Sequence, residues 1–190
     1  GGLYYDLPIG FEEKVIEFVD YIGPKLNELD VLLTDNSIFI NRTANVGVLT
    51  LPLAINAGAT GPVLRGSGLK HDIRKIDAYS VYPEIDFNVP VGTGKMGATG
   101  DCWDRTFVRV AEIRESIKII RQCILKLTND HKRSRDFDPQ ALVPSKIRPK
   151  AQDVYARAES AKGELGFFIR SDGKSDKPSR VKVRSCSFSN

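Results

Sequence analysis

Cysteine is scarce in this 190-residue chain. Cys102, Cys123 and Cys186 are an odd number, widely spaced and without a CxxC pair, which argues against a disulfide framework and against a zinc centre and fits a reducing compartment. Histidine is scarcer still. His71 and His131 stand far apart with no ligand set at metal spacing, and neither supports a Ser-His-Asp triad. No apolar run approaches the ~20 residues of a membrane-spanning helix, and the start, Gly1-Gly2-Leu3-Tyr4-Tyr5, lacks the charged and apolar regions of a signal peptide. Positive charge is in only modest excess: the formal net charge is +4 and the two signs are interspersed over most of the chain. Such a balance does not call for nucleic acid.

What is present suffices for one ordinary core. Apolar residues make up 41% of the chain and charged residues 27%, so residues 1–190 are expected to form a single, partial domain. The chain does not begin with Met, which suggests a piece of a longer protein. One locally basic stretch runs from Lys126 to Lys150, with His131-Lys132-Arg133-Ser134-Arg135 and then Lys146, Arg148 and Lys150. It reads as an exposed polar loop over 128–150. The rival reading is a basic docking module for nucleic acid or an anionic membrane.

Apolar residues at steps of three and four, Phe11, Val15, Phe18, Ile22, Leu26, Leu29 and Leu32, predict an amphipathic helix, kinked or broken at Gly23-Pro24. Residues 36–68, rich in Gly, Pro, Asn and Thr, predict turns, small strands and one short helix after Pro52. Alternation at Tyr79, Val81, Ile85, Phe87 and Val89 predicts a hairpin or paired extended segments, and 92–100 a flexible glycine-rich connector. Asp101 is placed to cap the long helix that follows, whose apolar stripe is Trp103, Phe107, Val110, Ile113, Ile117, Ile120 and Ile124, with Glu112, Glu115, Lys118 and Arg121 on the wetter side. Gly166–Arg170 and Val181–Arg184 read as a two-stranded antiparallel piece. The fold class is α+β, dominated by helix.

Three clusters invite a chemical reading. Gly92-Thr93-Gly94-Lys95 fails as a phosphate cradle, because the Walker spacing is wrong and Met96 follows the lysine where a hydroxyl should be. In 64–75, Arg65, Asp72 and Arg74 crowd together with glycines and no amphipathic order, the composition of a buried ion-pair network or a polar site. In 101–109, Asp101, Arg105 and Arg109 fall at steps of four on one helical face, and the arginines suggest planar donors for carboxylates on another element.

These blocks, in order, carry a resemblance: Gly61-Pro62-Val63-Leu64-Arg65-Gly66-Ser67-Gly68, Asp72-Ile73-Arg74-Lys75, Gly100-Asp101-Cys102, Asp104-Arg105, Val108-Arg109 and Arg114-Glu115-Ser116-Ile117. Glu159-Ser160-Ala161-Lys162-Gly163-Glu164-Leu165-Gly166, Ser171-Asp172-Gly173 and Arg180-Val181-Lys182-Val183-Arg184 follow. Their succession resembles the hydrogenase-derived D subunit of NADH:quinone oxidoreductase, respiratory complex I, over most of the chain and roughly that protein's C-terminal half. The resemblance implies a fold similar to the large subunit of nickel–iron hydrogenases and a place in the peripheral arm. There the chain would sit beside the subunit carrying the terminal 4Fe-4S cluster and help form the site where quinone is reduced and electron transfer is coupled to ion translocation. It implies a position on the cytoplasmic face of the inner membrane, or on the mitochondrial matrix side, with membrane contact made through the complex.

The same resemblance implies no cofactor, NADH or metal held by this chain, and no nucleic acid. It also implies no catalytic residue here, since the family's histidine-bearing loop and quinone-binding tyrosine lie upstream of the residues present. Quinone-cavity candidates carry over residue by residue. Lys162 stands where these relatives usually have Arg, keeping the charge but losing the planar fork. Ser187 lies in Cys186-Ser187-Phe188-Ser189-Asn190, similar to the family's Pro-Ser-Phe-x-Asn with Cys186 in place of Pro. Glu159 opens the block that contains Lys162. The two CxxC pairs that hold metal in hydrogenases are absent. The stretch between Pro144 and Glu159 is shorter than in these relatives.

Overall fold

The computed structural model describes residues 7–131 and 147–188. Helix α1 (Phe11–Leu29) runs into a π-helical turn (Asp30–Thr34); short helices α2 (Ser37–Thr43), α3 (Leu51–Asn56), α4 (Gly61–Gly66) and α5 (Ile73–Ile76) and a 3-10 turn (Tyr82–Glu84) precede the long α6 (Cys102–His131). Strands β1 (Gln152–Ser160), β2 (Gly163–Ser171) and β3 (Arg180–Arg184) close the chain as an antiparallel sheet in the order β1-β2-β3. The architecture is α+β with helix dominant, as expected.

Helix α6 organises the rest. It packs against α1 and α4, and its start is fixed by Asp101, whose Oδ1 accepts from the Asp104 amide at 2.8 Å while Oδ2 accepts from the Asn45 amide at 2.9 Å. One carboxylate therefore caps the helix and ties down the loop before α3. Trp103 is buried, stacks on Phe107 with ring centroids 5.2 Å apart, and donates its indole N–H to the Thr34 carbonyl at 2.9 Å. That carbonyl closes the π-helical turn, where a widened ladder leaves acceptors that an outside donor must satisfy.

Several sequence expectations change here. Pro24 lies inside α1 without breaking it, and a π-helical turn follows at Asp30–Thr34. Val19 and Leu26 are the buried residues of α1, whereas Phe18 is exposed. Residues 36–68 hold three helices and no strand. The expected hairpin over 78–91 is a 3-10 turn followed by an unpaired extended segment, whose alternation nevertheless buries Ile85, Phe87 and Val89 in one cluster. Along α6, Ile113 and Ile120 are exposed, while Glu112 and Glu115 turn inward, the latter accepting from the Asn88 amide at 2.9 Å.

Residues 128–131, expected in a loop, are helical, and β1 occupies residues where the pattern predicts no strand. Residues 132–146, the centre of the basic stretch, lie outside the described residues. At its start Lys126 is paired with Glu84. Among the described residues no helix is long and apolar enough to cross a membrane.

Candidate functional site

Arg65 is the hub. It sits on α4 with 1% of its surface exposed, so each of its donors needs a protein partner. Its Nε donates to Glu112 of α6, and Nη1 donates to Glu159 Oε1 of β1 at 2.8 Å and to the His71 carbonyl at 2.9 Å. The second oxygen of Glu159 accepts from the Ile73 amide at 3.2 Å, and its side chain is 3% exposed. Asp72 lies 3.9 Å from Arg65, caps α5 through the Arg74 amide at 2.9 Å, and holds the Arg74 guanidinium with both oxygens, at 3.0 and 2.6 Å. Arg74 in turn lies over the Phe87 ring, 4.9 Å from its centroid.

Two guanidiniums thus face three carboxylates, with Arg65, Asp72 and Glu159 buried and Arg74 and Glu112 at the edge. The excess negative charge is unevenly distributed. Burial pushes Glu112 up, beyond what its bond to Arg65 pulls down, and the Asp72 charge adds to the rise. Asp72 also suffers burial, yet its bidentate contact with Arg74 holds it below the usual carboxylate range. A cleft of about 420 Å³ opens beside this network, lined by Arg74, Arg109, Glu112, Glu159 and Ser160 among others.

The β1–β2 hairpin is seated by glycines. A Cβ on Gly61 would lie 2.4 Å from the Gly163 Cα, and one on Gly163 would lie 2.5 Å from Thr60 Oγ1. Gly163 also has φ +130, a conformation closed to most L-residues. The gap is bridged by the Glu164 amide donating to Thr60 Oγ1 at 3.1 Å, and the Glu159 amide donates to the Tyr79 hydroxyl at 3.1 Å. Lys162 therefore projects from a turn clamped at both ends. It is exposed.

After β3 the chain returns to this turn. Hydrogen bonding to Ser160 holds the Cys186 thiol below its usual value, helped by Ser187 and by the Lys162 ammonium. Cys186 Sγ lies 3.9 Å from Ser187 Oγ. The sequence candidates Lys162 and Ser187 are thus brought to one end of the sheet, with Ser160 linking them to the cleft. Glu159 lines that cleft but has both oxygens engaged inside the protein, so it positions the hairpin.

Among the described residues, Asp101, Arg105 and Arg109 form no ion-pair network. Arg105 donates to the carbonyls of Gly100 and Gly47, the latter at 2.9 Å, and Arg109 donates to the Arg105 carbonyl at 2.7 Å. The carboxylates expected opposite these arginines are replaced by backbone oxygens. The glycine-rich segment 92–100 is not a free connector. A Cβ on Gly92 would lie 2.0 Å from the Gly66 carbonyl, and the Gly94 and Gly100 amides donate to buried Asp104 at 2.9 and 3.3 Å.

The sequence pattern does not single out Asp104, Glu112, Thr60 or Tyr79 as contributors. Only the Asp-x-x-Asp spacing directly after the glycines hints at one of them. Among the described residues no three His, Cys, Asp or Glu side chains are grouped to hold a metal ion.

Comparison with known proteins shows the ancestry of this sequence. A relative from Cytophaga hutchinsonii, named as a D subunit of NADH-quinone oxidoreductase, is 66% identical over the whole chain, which covers 48% of that relative. Proteins from Amoebophilus asiaticus and Chlorobium phaeovibrioides, named as D subunits of the same oxidoreductase, are 60% and 54% identical, again over the whole chain and over 47% and 46% of their own lengths. The chain thus spans about half the length of the curated relatives it matches. The sequence profile of the family described as respiratory-chain NADH dehydrogenase, 49 Kd subunit, matches residues 1–190, and the chain belongs to that family.

Proposed function

We propose that this chain is part of a peripheral-arm subunit of NADH:quinone oxidoreductase and supplies scaffold and one wall of the quinone-reduction site, beside a neighbouring subunit's terminal 4Fe-4S cluster. The fold would follow the hydrogenase large subunit, and electron transfer at this junction would be coupled to ion translocation. Quinone is the substrate; the chain itself would hold no cofactor. Partners are the cluster-bearing subunit and other peripheral-arm subunits, with the membrane, at its cytoplasmic or matrix face, reached through them.

The observation that carries this reading is the clamped β1–β2 turn, which brings Lys162, Cys186 and Ser187 together beside the cleft. A rigid turn presenting one cation and one hydroxyl can set the local potential and offer a hydrogen bond to a carbonyl or its reduced oxyanion. Inside the cleft, Arg65 and Glu159 hold the wall in place without being spent on a ligand.

The test is affinity isolation of a tagged full-length subunit carrying this sequence from detergent-solubilised membranes, with quinone-dependent NADH oxidation assayed on the recovered material. An iron–sulfur complex with that activity supports the proposal. A lone soluble protein, or one recovered with nucleic acid, overturns it.

A further inference from the structure

The sheet has two unlike faces. Antiparallel register aligns Val154 with Ile169 and Val181, and Ala156 with Phe167 and Val183, and paired residues in such a ladder point to the same side. The centre of this face is apolar across all three strands, with the polar Gln152, Ser160 and Ser171 at the strand ends. It is also open, with Phe167 42% and Val183 57% exposed.

The opposite face carries Tyr155, Arg157, Glu159, Glu164 and Arg184, and its contacts turn inward. Arg157 pairs with Asp77 at 2.9 Å, Glu159 with Arg65, and Arg184 donates to the Gly58 carbonyl at 2.8 Å. The ionic face is therefore the one docked on the helices, and the apolar face points away from them. This reverses the usual arrangement, in which a sheet turns its hydrophobic side to the core.

We infer that the apolar face is an internal packing surface of the whole subunit, covered by the half of the polypeptide that the relatives possess beyond this chain. Two observations favour that occupant over a neighbouring subunit. This chain covers only 48% and 47% of its relatives, so as much polypeptide again is available for a second layer. The six aligned positions at its centre, flanked at the strand ends by Gln152, Ser160 and Ser171, include no charged or polar side chain, which is more apolar than the ~65% typical of the centre of a contact between subunits. A patch of this kind left bare until assembly would also invite aggregation. Cover from the same polypeptide is present as soon as it has been made. The inference rests on family membership and stands apart from the quinone reading.

The test uses a full-length subunit carrying this sequence, assembled in its native membranes, with the photo-crosslinking residue p-benzoylphenylalanine placed at position 167 or at 183. Irradiation and peptide mapping should join each position to residues of the same polypeptide outside these 190. Joining to a different polypeptide or to lipid, or no joining at either site, overturns the inference. A second measurement guards against misfolding of the substituted protein. Val181→Cys in the assembled subunit should react with a maleimide at least tenfold more slowly than after denaturation, and equal rates in the two states overturn the inference as well.

Discussion

Arg65 and Glu159 are separated by ninety-four positions in the chain and by 2.8 Å in space. The contact joins the short helix α4 to the end of strand β1, and Glu112 of α6 completes it on the other side. A buried guanidinium shared between two carboxylates makes the geometry of three elements depend on one side chain. Removing it leaves Glu112 and Glu159 buried without their cation, a loss on the order of 3–5 kcal/mol. Arg65→Ala is expected to lower the denaturant midpoint of the full-length subunit accordingly. Arg65→Lys should recover only part of it, because an ammonium cannot reproduce the fork that reaches Glu112, Glu159 and the His71 carbonyl together. A loss under about 1 kcal/mol for the alanine variant would show that the network does not hold the elements together.

The same cluster predicts how stability changes with pH. Burial raises Glu112 above its ordinary 4.5, so the folded state binds this proton more tightly than the unfolded state does. Its contribution is therefore most favourable below pH 4.5 and declines as pH rises through the folded value. Asp72, despite burial, is lowered from its ordinary 3.8 by Arg74. Its contribution is present above pH 3.8 and lost as pH falls through the lower folded value. In urea titrations of the full-length subunit, the stability of wild type minus that of Glu112→Gln should fall as pH rises above 4.5. The corresponding difference for Asp72→Asn should fall as pH drops below 3.8. A flat difference in either series would remove that residue from the linkage.

How much of this could be read in the sequence depends on the range of the interactions. Helix α6 was legible because its period, its Asp101 cap and its spaced charges are local signals. The crowding of Arg65, Asp72 and Arg74 signalled a network, since charges without amphipathic order have nowhere dry to go except to each other. Its other members, Glu112 and Glu159, were not legible. Glu112 has the spacing of a solvent-facing residue on α6, and only the arrival of α4 turns it into an interior one. The expected hairpin over 78–91 failed for a related reason: alternation reports that one side is buried, and here packing against α6 buries Ile85 and Phe87 without a partner strand. Strand β1 was hidden by its polar composition, because the side facing the helices is the ionic one.

Capping by Asp101 can be isolated from its charge. Its two oxygens satisfy the amides of Asp104 and Asn45, and the residue is 1% exposed. Asp101→Ala should cost about 1–3 kcal/mol, combining the lost cap with an unsatisfied buried amide. Asp101→Asn retains one acceptor and should lose clearly less in the same thermal unfolding experiment. Equal losses would indicate that the negative charge at the helix start, and not the hydrogen bonds, is what α6 requires.

Gly61 and Gly163 test whether the clamp positions the hairpin. A Cβ added at either one would meet an atom of the facing segment at 2.4 to 2.5 Å. Neither neighbour is the free end of a long side chain, so the backbone has to move apart. Gly61→Ala and Gly163→Ala are each expected to destabilise by more than ~1 kcal/mol and to speed hydrogen exchange at the Glu164 amide, which loses its bond to Thr60. The double variant should be less than additive, because the first substitution already opens the gap the second would need. Strict additivity would mean that the two glycines answer to separate constraints.

Lys162 and Ser187 decide whether the end of the sheet serves quinone chemistry or only structure. Both are exposed at the turn that the clamp holds, so neither substitution should disturb assembly. If the ammonium shapes the potential felt by the quinone, Lys162→Ala should lower quinone-dependent turnover several-fold in assembled complex while NADH oxidation with an artificial acceptor is unchanged. Lys162→Arg, which keeps the charge, should retain most of the turnover. Ser187→Ala should raise KM for quinone more than it lowers kcat if the hydroxyl contributes mainly to binding. A purely structural role would reduce both electron-acceptor activities together, through lost complex, and would give the arginine variant no advantage over the alanine one. Unchanged turnover in all three variants would place the quinone away from this end of the sheet.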